Sequence, residues 1–478
     1  MKNKISFKYC ARCLLLITLF SSLIPFKAVS QKISTDALRS HTYFLSHDLL
    51  EGRGTASHGE ALAALYLSTH LRMYGLKPIT TDSTLDYRIP VPLTAYHFDD
   101  SETHISIQSE DSSFVLSPPD FYHPGGAPSS FQNFGGKLLF AGPTPNALST
   151  LNGYSDLTGK VVVLGPPWNG IGEVESELRR RGAEGAIEIV PNEFYNRLRV
   201  VRGPTRYSLP TEVKAPKNQS PLPTVIIGPT AAKALGVYKK IESKNKLDKA
   251  EPLQSRVEIN FSIDLQQKTG YNVAALLPGA DPVQSDSIVI YMAHYDHVGH
   301  GEPTNGDSLW NGFIDNSTGT SLLLEMARIL SDKPPSHSTV FLFTTAEEQG
   351  LLGATWFVQD PPIQLNKIKA AINIDGGAPP ADEKNWTIAA SNKYKLKDIA
   401  GRALENNGWE VTEKSIISDS DHWPFHRAGI PALFLYPGSQ VTTEHIHTAK
   451  DEWYAEFPFG GLSHYAEAAL RISRALEN

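Results

Sequence analysis

Ser287-Ile288-Val289-Ile290-Tyr291-Met292-Ala293-His294-Tyr295-Asp296-His297 is an unbroken apolar run that stops abruptly at two imidazoles and a carboxylate. A short run rich in β-branched residues, with no polar alternation, reads as a strand buried on both faces. The pattern recurs downstream. Gly319 to Leu330 has helical spacing, and Thr339-Val340-Phe341-Leu342-Phe343 is strand-like again. Ile368 to Ile374 and Pro431 to Tyr436 follow as further strands, with a last helix between Phe459 and Leu476. Strands alternating with helices predict an α/β fold: a mixed, largely parallel sheet flanked by helices. Ligands of such sheets collect beyond the carboxyl ends of the strands.

Upstream the texture changes twice. From Asp36 to Leu76 apolar residues recur at helical spacing, interrupted by the glycine-punctuated turn Leu50-Glu51-Gly52-Arg53-Gly54. Residues from about 112 to 250 are instead short strands, such as Lys137–Phe140, Lys160–Leu164, Gly185–Val190 and Pro223–Ile227, between Gly/Pro/Asn-rich loops. One helix is expected near Glu173–Arg181, and Lys-rich residues 239–249 mark an exposed boundary. The expected organisation is a domain made of residues 31–111 and 251–478, interrupted by a smaller β-rich domain over 112–250.

The first thirty residues have the signature of an export signal. Lys2, Lys4, Lys8 and Arg12 precede the apolar run Leu14–Phe20, and Ala28-Val29-Ser30 offers small residues for cleavage. That run is short for a membrane anchor, which needs about 20 residues, and no later segment is long and apolar enough to cross a bilayer. Both cysteines, Cys10 and Cys13, lie within the signal, so disulfides and thiolate catalysis are excluded for the mature chain. The same segment holds five Lys/Arg and no Asp/Glu, so the mature chain is more acidic than the formal charge of −7. An acidic exported protein lacks the basic surface that nucleic-acid binding requires.

Each strong strand runs into groups that can hold a metal. His294, Asp296 and His297 follow the first, Glu347-Glu348 the second, and Asp375 follows Ile374. Asp315 precedes the Gly319 helix, and His445-Ile446-His447 comes near the end. Carboxylates converging on one sheet edge repel unless cations neutralise them. Imidazole with carboxylate and no thiolate suits zinc at a catalytic site. Two ions about 3.5–4 Å apart need a bridging ligand, a task suited to a carboxylate.

Ala-His-Tyr-Asp-His-Val-Gly at 293–299, Asn-Gly-x-x-Asp-Asn-x-x-Gly at 311–319 and Ala-Glu-Glu-Gln-Gly at 346–350 resemble successive motifs of the di-zinc aminopeptidase family. Ile-Asp at 374–375, Ser-Asp-His-x-Pro-Phe at 420–425 and His-Thr-x-x-Asp at 447–451 continue the series in order. That family includes bacterial leucyl aminopeptidases and, more distantly, glutamate carboxypeptidase and glutaminyl cyclase. The resemblance implies the zinc-peptidase/phosphorylase-like fold and two Zn2+ ions. Asp315 would bridge them, with His294 and Asp375 completing one site and Glu348 and His447 the other. Glu347 would be the general base, and Asp296 would orient the His294 ring. Residues 112–250 resemble a protease-associated domain.

Several neighbours compete within these motifs. His297 is an alternative to His294, and His445 to His447. His422 reads as a packed histidine, while Asp421 is a candidate support for the site. Ile446 stands where the family often has an oxyanion-stabilising tyrosine; Tyr436, near a strand end, is a candidate substitute, with packing as its alternative role. Phe313-Ile314 replace small and acidic residues.

The expected activity is an exported zinc metallopeptidase, periplasmic or extracellular, acting on peptides or proteins as an aminopeptidase. A carboxypeptidase or dipeptidase on the same scaffold is the nearest rival, with Arg53, Arg199, Arg202 and Arg206 as possible carboxylate-binding groups. A glutaminyl cyclase or a non-catalytic receptor-like protein fits less well.

Overall fold

The computed structural model describes residues 32–80, 84–99, 101–110, 112–117, 121–122, 133–167, 171–192, 195, 205–210, 222–242, 247–391 and 395–477. The expected export signal lies outside them.

Nine strands of the principal sheet set the frame: β1 (Arg88–Phe98), β2 (Arg206–Ser208), β3 (Ile263–Leu277), β4 (Ile288–His294), β5 (Ser338–Thr344), β6 (Ile368–Ile374), β7 (Asn385–Ala390), β8 (Glu410–Ser415) and β9 (Ala432–Pro437). Their order across the sheet is β8-β7-β9-β6-β4-β5-β3-β1-β2, and Lys77–Pro78 pairs with β3. The centre, β5-β4-β6-β9, is parallel, and antiparallel strands flank it. This is the expected mixed sheet with a parallel core. Every residue of β4 and β5 is buried, which is why neither strand shows a polar–apolar alternation.

Helices cover both faces. α1 (Thr35–Leu45), α2 (His58–Met73), α3 (Thr318–Asp332), α4 (Leu352–Gln359), α5 (Leu396–Glu405), α6 (His422–Arg427) and α7 (Phe459–Ala475) carry the apolar stripes seen in the sequence. On one side Ile290, Met292, Val340, Leu342 and Ala371 pack with Phe357 of α4 and Phe425 of α6. Each large side chain buried in this way contributes roughly 1.5–3 kcal/mol. α1, α3 and α7 contact one another. α2 begins with Ser57, whose hydroxyl accepts from the Glu60 N–H, the capping geometry for a helix start.

The second sheet has eight strands and reaches beyond the expected 112–250 span. His104–Ser109 and Glu251–Asn260 pair with each other inside it. Val257 and Ile259 join Ile105 and Ile107 in its core. β2, which lies within the 112–250 span, pairs with β1 in the principal sheet. The antiparallel β1–β3 ladder ends at Phe98 and Ile263, and the second sheet takes over at His104 and Asn260.

Within the second sheet, Glu188 of strand Gly185–Ile189 is 8% exposed. Burial, helped by Glu175, pushes its carboxyl up from 4.5 to about 7. A raised carboxyl stabilises the fold below its unfolded pKa, and that contribution disappears as pH rises through about 7. The shift corresponds to roughly 3 kcal/mol. Glu188→Gln should therefore be more stable than the parent at pH 8 and equal to it below pH ~4.5. Denaturant midpoints at the two pH values check this, and equal midpoints at pH 8 count against it.

Candidate metal centre

The site sits beyond the carboxyl ends of the parallel strands. β4 ends on His294, β5 leads into Glu347-Glu348, β6 leads into Asp375, and the chain after β9 brings in His447. Asp315 arrives from the turn before α3. Gly312 opens that turn with φ +59°, where a Cβ would lie 2.5 Å from both the His297 ring and the Asp315 carbonyl oxygen, so only glycine fits.

His294, Asp315 and Asp375 form one group whose ligand atoms lie within 4.8 Å of one another; Asp315, Glu348, His447 and His297 form a second. The His294 Nε2 is 3.0 Å from Asp315 Oδ1 and 2.9 Å from Asp375 Oδ1. The His447 Nε2 is 2.9 Å from Asp315 Oδ2 and 3.1 Å from Glu348 Oε2. Asp315 thus turns one carboxylate oxygen to each group. All five side chains anticipated as ligands converge here.

His297 is the unexpected neighbour. It does not replace His294, which belongs to the other group, but places Nδ1 2.7 Å from Glu348 Oε1. His445 is outside both groups, and its Nε2 lies 4.0 Å from Glu444. His422 is buried, donates from Nε2 to the Ile417 carbonyl at 2.8 Å and stacks on Phe434, as a packed histidine should. Tyr436 packs on Phe434 with Lys414 over its ring.

Further residues fix these groups in place. The His294 Nδ1 lies 3.1 Å from the Asp296 carbonyl, and 3.7 Å from the Asp296 carboxylate. The carbonyl is the nearer partner. Because a carbonyl only accepts, Nδ1 carries the proton and Nε2 faces the site. The Asp296 carboxylate accepts instead from the Glu347 N–H at 3.1 Å and the Thr55 hydroxyl at 3.2 Å. Ser420 donates to Asp375 Oδ2 at 2.5 Å, and Thr344 donates to Asp421. Asp451 accepts the N–H groups of Ile314 and Asp315 at 2.8 and 3.1 Å, so the last acidic residue of the His-Thr-x-x-Asp pattern holds the backbone of Asp315. Ala346 and His447, beside or within the site, hold positive φ of 54° and 56°. Such conformations cost of order 1–3 kcal/mol each and persist where surrounding structure enforces them.

Burial, with Asp375, Glu348 and Asp421 nearby, drives the Glu347 carboxyl well above its usual range, although His294 opposes the shift. Burial likewise pushes Asp421 up to about 7 and Asp451 up to about 6. Asp296, Asp315, Glu347, Glu348, Asp375, Asp421 and Asp451 crowd around three imidazoles. Cations offset such an excess of carboxylate, and the nitrogen–oxygen donor set without sulfur is the one catalytic zinc uses. The two donor groups fit zinc.

Of the arginines considered for binding a carboxylate, Arg53 is fully buried against main-chain carbonyls and Arg206 is buried on β2. Arg199 and Arg202 lie outside the described residues.

Residues 272–472 match the family model "Peptidase family M28". Aminopeptidase YwaD of Bacillus subtilis is 28% identical over 194 residues, 40% of this chain and 39% of that protein. The probable leucine aminopeptidase 2 of Aspergillus oryzae is 34% identical over 212 residues, 42% and 40% of the two chains. The aligned region spans only about two fifths of the length of these curated relatives. Among solved structures, an aminopeptidase from Aneurinibacillus sp. strain AM-1 superposes with a TM-score of 0.60 at 17% identity, covering 94% of each chain. A zinc aminopeptidase from Bacillus subtilis gives 0.54 at 18% identity, covering 93% of this chain and 94% of its own. The likeness of fold therefore extends over the second sheet, far beyond the region of sequence similarity. Residues 272–472 therefore carry a likeness to peptidase family M28.

Proposed function

We propose that this chain is an exported two-zinc aminopeptidase that releases residues from the N-terminus of peptides, with the second sheet as a protease-associated domain. One observation carries the reading: Asp315 presents Oδ1 to the His294–Asp375 group and Oδ2 to the Glu348–His447 group. The relatives described above are named aminopeptidases, which supports the choice among peptidases.

His294 and Asp375 would hold one ion, Glu348 and His447 the other, and Asp315 both. Zinc in such a site supplies Lewis acidity, acidifying water and polarising a peptide carbonyl. Glu347 stays outside both ligand groups, with its backbone N–H fixed by Asp296. Its carboxylate takes the proton of the attacking water and returns it to the departing amine. The His294 Nδ1–H, directed at the Asp296 carbonyl, keeps the opposite ring nitrogen available.

The test is hydrolysis of matched peptides with free and acetylated N-termini by the zinc-loaded protein. Cleavage of the free peptides, one residue at a time from the amino end, is expected to stop on acetylation. A chelator should abolish it and added zinc restore it. Equal cleavage of blocked peptides, or release from the carboxyl end, overturns the aminopeptidase assignment.

A further inference from the structure

Arg53 is 1% exposed, and its guanidinium donates only to main-chain oxygens among the described residues. Nε donates to the Tyr295 carbonyl at 2.7 Å. Nη1 donates to the carbonyls of Asn311, at 2.7 Å, and Leu45, and Nη2 to that of Gly312 at 2.9 Å. The partners come from three segments: the end of α1, the loop after β4 and the turn before α3. Two of these carry candidate ligands, since Tyr295 adjoins His294 and Gly312 lies three residues before Asp315.

The surrounding turn makes the same connection. The Arg53 carbonyl accepts the His297 N–H at 3.1 Å, Gly54 bridges to His297, and Asp48 accepts from the Asn311 amide at 2.9 Å. Burying a cation is costly unless hydrogen bonds and opposite charges compensate. Burial lowers the Arg53 pKa to about 10, and Asp451, Asp296, Asp315 and Glu348 oppose that shift in favour of the charge. A planar fork with several fixed donors can span these carbonyls together. A lysine ammonium cannot.

We infer that Arg53 is a positioning residue of the metal centre, fastening the loop that carries His294 to the turn that carries Asp315 and so setting the spacing of the two cation sites. The inference rests on the two-metal reading above. It follows that Arg53 is not a substrate-binding group, because it is buried and each of its three guanidinium nitrogens already donates to a main-chain carbonyl.

Cobalt titration, followed by visible absorption, tests it alongside circular dichroism and thermal melting of the same samples. The parent chain is expected to bind two equivalents of Co2+. Arg53→Lys should remain folded, bind one or both equivalents about 10–100-fold more weakly, and show an altered absorption band. Arg53→Gly keeps a backbone suited to the φ of +49° at this position, and added guanidinium should restore its cobalt spectrum. Folded variants with parental affinity and spectrum overturn the inference. So do variants that fail to fold even with guanidinium, since Arg53 would then serve the fold at large. If the parent itself takes up no cobalt, the two-metal reading falls, and this inference with it.

Discussion

Glu347→Gln is expected to retain both zinc equivalents and lose about 10²–10⁴-fold in kcat, the range assigned to a positioned general acid–base group. The amide matches the carboxylate in shape, and the Asp296 carboxylate holds residue 347 by its backbone N–H, which the substitution leaves intact. No ligand is removed, because Glu347 belongs to neither donor group. What disappears is the carboxylate proposed to take the proton of the attacking water. The parent carboxyl is driven upward by burial and by Asp375, Glu348 and Asp421. Cations held by the two donor groups would offset that field and favour the basic form of Glu347. Steady-state kinetics with metal analysis of the same preparation check the prediction. Near-parental turnover would refute the assignment of the base, and loss of zinc would recast Glu347 as a ligand.

Asp315→Ala should be still more damaging, because one side chain faces both donor groups. Removing a partner that only orients a ligand typically costs 10–100-fold in metal affinity, so loss of a shared ligand should exceed about 100-fold at both sites. Activity should fall to background. The backbone should survive the change, since Asp451 holds residues 314 and 315 through their N–H groups. Isothermal titration with zinc, beside a thermal melt, separates metal loss from unfolding. A folded variant that takes up two equivalents at unchanged affinity would show that Asp315 is not a shared ligand.

Much of the fold could be read directly from the chain. The runs at 288–292, 339–343 and 370–374 lie in strands buried on both sides, and their lack of alternation follows from that burial. The helices over 319–330 and 459–476 were equally visible, because helical periodicity is a local property. The edges of the second sheet were not. Glu251–Asn260 finds its partner about 150 residues away, and pairing across such a distance leaves no mark in composition.

The amino-acid order by itself determined where the chemistry-bearing residues occur. Polar groups stand at the ends of buried strands, so His294, Glu347, Glu348 and Asp375 had to meet along one sheet edge once the parallel strands assembled. The tertiary structure alone decided how they divide: which oxygen of Asp315 faces which group, that His297 leans on Glu348, and that the Asp296 carboxylate steadies Glu347 while its carbonyl is the nearer partner of His294. It also turned Arg53 inward onto four carbonyls. The reason is one of range. Periodicity is written within a few residues, whereas a hydrogen bond needs positions fixed to a few tenths of an ångström by segments up to some 250 residues apart.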